Sequence, residues 1–292
     1  MPMWAEMLVL FAAGGVALAV FAWRGCLRRD ALRGGPTRRT GLGPADLAMG
    51  LGLWLVGQAL AGLVIVDLLG VEREGGLVSA ESPLSQGQFV LLSQVLVYLL
   101  PVGYAVLRVG VWQGFRRGSR ELGLLPRGGW GEARLTGLAI LGGLPVVAAV
   151  LLVTRLVSEL LGLPTPPIAH NVLEYIRTMD AGGEFILLVV AVVVVAAVVE
   201  EIVFRGLVQS SLAGAMQGHR RWTVVLIAAT LFAGIHFQYV NGVPAWQGLP
   251  GLFVLGVMLG WVYERSGSLW PAIGLHGAFN ALNVLLVRVG EL

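Results

Sequence analysis

The run FILLVVAVVVVAAVVEEIVFR, Phe185 to Arg205, decides the fold class: an unbroken apolar stretch leads into Glu200 and Glu201, followed at helical spacing by Arg205. Its length and hydrophobicity are those of a membrane-crossing helix. A charge at a lipid-facing helix centre costs roughly 2.5 to 3.5 kcal/mol, so these three must face protein or water. A cost of that size, retained in a chain otherwise poor in charge, marks a functional site.

Composition extends the membrane reading to the whole chain. Of 292 residues 57% are hydrophobic and 13% charged, with a mean hydropathy of +0.81. These values lie far from those of an ordinary soluble domain. Apolar stretches predict eight helices, near 4–23, 47–69, 88–109, 135–157, 185–205, 223–239, 249–263 and 269–289. The expected fold class is therefore all-α, a polytopic membrane helix bundle with a polar intramembrane cavity. No internal repeat or long linker divides the chain, so residues 1–292 are read as one integral membrane domain. Within it, 1–184 supplies four spans and their loops, and 185–289 a four-span core carrying the polar motifs.

All 20 basic residues are arginines, and their placement is uneven. Arg24, Arg28, Arg29, Arg33, Arg38 and Arg39 follow span one; Arg116, Arg117, Arg120, Arg127 and Arg134 follow span three; Arg220, Arg221 and Arg265 continue the alternation. The intervening loops carry Glu72, Glu74, Glu81, Glu159, Glu174, Asp180 and Glu184. The positive-inside rule puts the arginine loops in the cytoplasm and both termini outside. The high pI reports this topology and implies no nucleic-acid partner. The partners expected are the lipid bilayer and, if the site is catalytic, a peptide or protein substrate. The first span has no preceding positive charge and no small-residue cleavage site, and reads as a retained helix. Cys26, the single cysteine, is expected to be a reduced thiol.

Two further polar groups fall inside apolar spans. Phe232-Ala-Gly-Ile-His236 and His276-Gly-Ala-Phe-Asn280 each align two residues at i, i+4 on one helix face. Asn283 continues the second face. Two carboxylates, two imidazoles, an amide and a guanidinium supply a base for water, donors for an oxyanion and a counter-charge, the parts of acyl hydrolysis. Glu200, His236 and His276 would equally make a zinc set, since catalytic zinc takes three protein ligands plus water.

These residues resemble the CAAX endopeptidase and bacteriocin-processing (CPBP, or Abi) family of intramembrane proteases. The family's EExxxR stands here as Glu200-Glu201-Ile-Val-Phe-Arg205, its FxxxH as Phe232 to His236, and its HxxxN as His276 to Asn280. The similarity covers about residues 185 to 285. It implies that Glu200 with His236 activates water, that His276 and Asn280 stabilise the oxyanion, and that the cavity opens toward the cytoplasm. Glu201 and Arg205 are assigned to an internal ion pair, with Phe232 as packing. A glutamate-type mechanism without metal is adopted, with a divalent metal such as zinc as the alternative. Arginine-only usage points to a GC-rich prokaryotic genome, hence a prokaryotic cell membrane, where prenylated CAAX proteins are not expected. A proton- or ion-coupled transporter and a non-catalytic immunity or scaffold protein are the other function classes. His170 and His219 read as loop residues, Gln58 and Asp67 receive no role, and Glu264 with Arg265 reads as a cap on span seven.

Overall fold

The computed structural model describes residues 3–28, 30–32, 40–74, 77–79, 81–166, 168, 170–216, 221–240 and 242–290. Arg29, Arg33, Arg38, Arg39, His219 and Arg220 lie outside them. Among the described residues ten helices carry the fold: α1 Met3–Trp23, α2 Pro44–Leu68, α3 Gln86–Gln113, α4 Phe115–Leu122, α5 Gly129–Leu160, α6 Asn171–Thr178, α7 Gly183–Ala215, α8 Arg221–Ile235, α9 Leu249–Ser266 and α10 Trp270–Val289. Two short hairpins pair Arg73–Glu74 with Leu77–Val78 and Tyr239–Val240 with Val243–Pro244.

The bundle is polytopic and helical, as the hydropathy pattern requires; among the described residues six helices are long and apolar enough to cross a membrane, α2, α3, α5, α7, α10 and the segment Trp246–Ser266 containing α9, and the expected count of eight is not established by them. Two shorter apolar stretches accompany them, Phe11–Trp23 and Arg221–Ile235. At 15 residues, α8 is about 22 Å long against a hydrocarbon core of about 30 Å. The sequence extends that hydrophobic run to 239, but the helix ends at Ile235 and the chain turns into the hairpin.

Leu55, Leu63, Leu99, Leu107, Leu141 and Ile186 are large, apolar and exposed on the outside of the bundle. In water such a surface would aggregate; in lipid it is the expected face. Inside, small residues permit close approach. Gly57 of α2 lies against the Val97 carbonyl of α3, and Gly256 of α9 against Ala229 and Phe232 of α8. The main core gathers Val203, Phe204, Val208, Phe232, Leu255, Leu259, Val262 and Leu275, all buried.

The two ends of the bundle are tied separately. At one end, Arg221 and Arg265 donate to the carbonyls of Leu32 and Ala31, and the indole of Trp222 donates to that of Arg28. Tyr263 donates to the Leu122 carbonyl and the amide of Leu269 to that of Gly123. Asp46 there receives Tyr104 at 2.6 Å and Arg108 at 2.9 Å. This is the arginine-rich end, and exposed Trp23, Trp112 and Trp130 border it, as aromatic residues do at a membrane interface. The opposite end joins α6 and its flanks to the other loops: Asn171 donates to the Tyr239 carbonyl, Gln247 to that of Pro166, and Arg288 to that of Met179.

Candidate active site

The 33-residue α7 is not a uniform α-helix. It contains two π-helical segments, Val190–Val195 and Ile202–Gln209, on either side of a single α turn, Ala196–Glu201, that holds both glutamates. π-Bulges recur at functional sites because each shifts the side-chain register and leaves carbonyls needing new partners. Polar side chains supply those partners here. Asn280 donates its amide to the Val192 carbonyl at 2.8 Å, and the Ser210 hydroxyl donates to that of Arg205 at 3.1 Å.

As consecutive residues of an α segment, at 3.6 residues per turn, the two glutamates point in different directions. Glu201 is fully buried, with Arg205 Nη1 donating to its Oε1 at 3.2 Å and Arg205 Nε 3.1 Å from Oε2. His276 Nδ1 of α10 lies 2.9 Å from the same Oε1. Arg205 is anchored further by donating from Nη2 to the Gly256 carbonyl at 3.1 Å. Glu200 faces instead toward His236, whose Nε2 stands 3.5 Å from Oε2, while His276 Nε2 lies 4.0 Å away on the other side. Oε2 itself is buried and accepts no hydrogen bond from the protein. In a membrane interior such an acceptor is costly, which marks it as a place for water or substrate.

Phe232 holds these groups apart. Its ring meets His236 at 4.7 Å between centroids, His276 edge-on at 5.6 Å and Phe204 edge-on at 5.3 Å. The Arg205 guanidinium sits 4.7 Å from the ring centre, a cation–π contact in a dry site. The ring is fully buried, so Phe232 is a spacer in the core. His236 is fixed by its Nδ1, 2.7 Å from the Phe232 carbonyl one turn earlier. That bond makes Nδ1 the protonated nitrogen of the neutral ring and leaves an Nε2 lone pair facing Glu200.

Glu200 and His236 form the inner wall of a cavity of about 280 Å3, whose remaining lining includes Trp54, Gln58, Ser93, Gln94, Tyr98, His170 and Gln238. His276 and Asn280 stand behind that lining. His170, read from sequence as an ordinary loop residue, is a correction: it lines the cavity as the N-cap of α6, its Nδ1 accepting the Val172 amide at 3.2 Å. Burial, reinforced by neighbouring His236, lowers its pKa to about 4, so it is neutral near pH 7. Nothing in its Pro-rich surroundings links it to the three motifs; only the polar N-cap spacing before α6 hinted at an ordered position. Gln58, given no role, also reaches the cavity. Glu264 is not an interfacial cap: it is buried, accepting Gln209 Nε2 at 2.9 Å and lying 3.6 Å from Arg221.

As for metal, the donor set is thin. A tetrahedral zinc site needs ligand atoms roughly 3.3 Å apart around bonds of about 2 Å; His236 and Glu200 approach this at 3.5 Å, while His276 stands at 4.0 Å from Glu200 with its other nitrogen committed to Glu201. Among the described residues no three His, Cys, Asp or Glu side chains are grouped closely enough to hold an ion.

The cavity's position also bears on sidedness. Its outer lining, His170, Phe237 and Gln238, belongs to the end opposite the arginine loops. A cytoplasmic arginine end and a cytoplasmic cavity mouth are therefore incompatible expectations.

A buried carboxylate facing an imidazole, in a cavity within membrane helices, is the kind of centre an intramembrane protease requires. Residues 182–282 match the family model of the Rce1-like proteins, type II CAAX prenyl endopeptidase Rce1-like. The match bears out the resemblance to the CPBP membrane proteases carried by the three motifs. No curated protein and no solved structure matches the chain.

Proposed function

We propose that the protein is an intramembrane endopeptidase in which Glu200 and His236 activate water against a peptide bond. The observation that carries this reading is the buried, unpartnered Glu200 Oε2 facing the His236 Nε2 lone pair at 3.5 Å on the cavity wall. A water held against Glu200 Oε2 and His236 Nε2 presents its oxygen to a peptide carbonyl in the cavity. As the water oxygen bonds to the carbonyl carbon, its proton passes to this pair, and the carbonyl oxygen takes up the negative charge. Collapse breaks the C–N bond, and the same proton goes to the departing amine.

The oxyanion is assigned to His276 and Asn280. Glu201 orients His276 through Nδ1, which turns Nε2 toward the site. Asn280 spends one N–H on the Val192 carbonyl and retains a second. The Glu201–Arg205 pair supplies fixed counter-charge and orientation, without touching substrate. No step requires a metal, and Glu200, His236 and His276 are the residues that a divalent ion would engage.

The test is cleavage of a responsive membrane peptide by purified protein. Glu200→Gln and His236→Ala should each cost on the order of 10^2-fold or more in rate, the scale of general-base removal. Unchanged cleavage in folded Glu200→Gln would end the assignment.

A further inference from the structure

We infer that the substrate enters from the extracytoplasmic side, so that the peptide cut is an exported segment of a membrane-anchored or secreted chain. The term substrate rests on the proteolytic reading above; the direction of entry does not.

Three observations converge. First, the arginine loops gather at one end, where Arg221 and Arg265 clasp the carbonyls of Leu32 and Ala31. By the positive-inside rule that end is cytoplasmic. Second, the path from Glu200 toward that end is packed shut. Every residue from Ile202 to Gln209 is buried. Beneath the glutamates Arg205 bonds the Gly256 carbonyl, Gln209 bonds the Gly260 carbonyl and Glu264, Ser210 meets the Tyr263 hydroxyl, and Tyr263 bonds the Leu122 carbonyl. This succession of buried, mutually bonded side chains is a floor. Third, the other direction is open because α8 stops short. The helix, running from the arginine end, stops at Ile235, and the chain turns away through Phe237 and Gln238, which line the cavity. His236 therefore sits in a recess walled by α2, α3, His170 and the turn at Phe237 and Gln238.

The recess is suited to main chain. Ser93 with Gln58, Gln94 and Gln238 adds hydroxyl and amide groups along its wall, and the Gln94 carbonyl oxygen is buried without a partner. Such groups pair with the N–H and C=O groups of an extended peptide, which would otherwise lack partners at membrane depth.

Sidedness is read by thiol accessibility in sealed membrane vesicles, with the full chain in its native bilayer and a membrane-impermeant maleimide. In the wild type Cys26, at the arginine end, should label in inside-out vesicles only. In a Cys26→Ser background, Tyr239→Cys at the rim and Ser93→Cys within the recess should label in right-side-out vesicles only. Labelling of wild-type Cys26 in right-side-out vesicles overturns the proposal without relying on any variant. Labelling of Tyr239→Cys but not Ser93→Cys in right-side-out vesicles, with Ser93→Cys reactive from the inside, overturns it as well. If the labelling pattern is as expected while Glu200→Gln leaves cleavage unchanged, the direction of the recess stands and the proteolytic reading falls.

Discussion

Glu201 Oε1 receives His276 Nδ1 at 2.9 Å and Arg205 Nη1 at 3.2 Å, so one carboxylate oxygen ties together two helices, an imidazole and a guanidinium. Adjacent Glu200, one residue earlier in the same turn, has no such tie. The pair thus divides into a carboxylate that is held and one that is kept available.

Glu201→Gln should destabilise the fold by about 3–5 kcal/mol, since it leaves Arg205 as a buried charge without compensation. The double variant Glu201→Gln, Arg205→Met should recover part of the loss. Thermal unfolding in detergent measures both. Glu200→Gln, which removes no hydrogen bond made by Oε2, should melt close to the wild type.

Asn280→Ala should cost about 1–3 kcal/mol, because the Val192 carbonyl in the first π segment is left without its donor. Loss of the oxyanion donor should also lower cleavage by roughly 10^2- to 10^3-fold, measured well below the melting temperature. A rate that falls only as far as the folded fraction would assign Asn280 to the π segment alone.

Gly57→Ala should push α2 away from α3, since the added methyl meets the Val97 carbonyl, which has no freedom to rotate aside. Overpacking of this kind costs about 1–3 kcal/mol. Trp54 and Gln58 share α2 with Gly57 and line the cavity beside Tyr98, so the variant should raise KM more than it lowers kcat. Peptide cleavage kinetics separate the two.

His170 gives the site a pH dependence of known sign. Its folded pKa is lowered from 6.5 to about 4 by burial and by His236, with Glu200 opposing. Between those values the unfolded chain binds more protons at this residue than the folded one. The stabilising contribution of the neutral ring is complete above about pH 6.5 and is lost progressively as pH falls toward 4. Unfolding temperatures measured between pH 7.5 and 5 should fall more in the wild type than in His170→Asn, which keeps an N-cap for α6 without a titratable ring.

The helical membrane fold was legible from composition and from runs such as Phe185 to Val199, because lipid demands apolar length and little else. The motif residues were legible because charge inside such a run is expensive. The pairing of Glu201 with Arg205 was legible from their i, i+4 spacing, whereas the π segments were not, because uniform runs of valine and alanine do not announce them and the partner of the first, Asn280 on α10, is remote in sequence. His170 was missed for a related reason. Its place on the cavity wall comes from the α6 loop folding back over α2 and α3, a tertiary event without periodicity. Hydropathy carried the span at 223–239 past Ile235, where the chain leaves the helix for a hairpin that is still apolar. The cytoplasmic opening is implied by the resemblance alone, and the extracytoplasmic opening is the inference argued above.

Among the described residues the layer beneath Glu201, from Arg205 through Gln209 and Ser210 to Tyr263, closes the cavity on that side. On the proteolytic proposal both fragments of a cut chain then leave through the recess by which the substrate came, and turnover is set by how readily the product backs out.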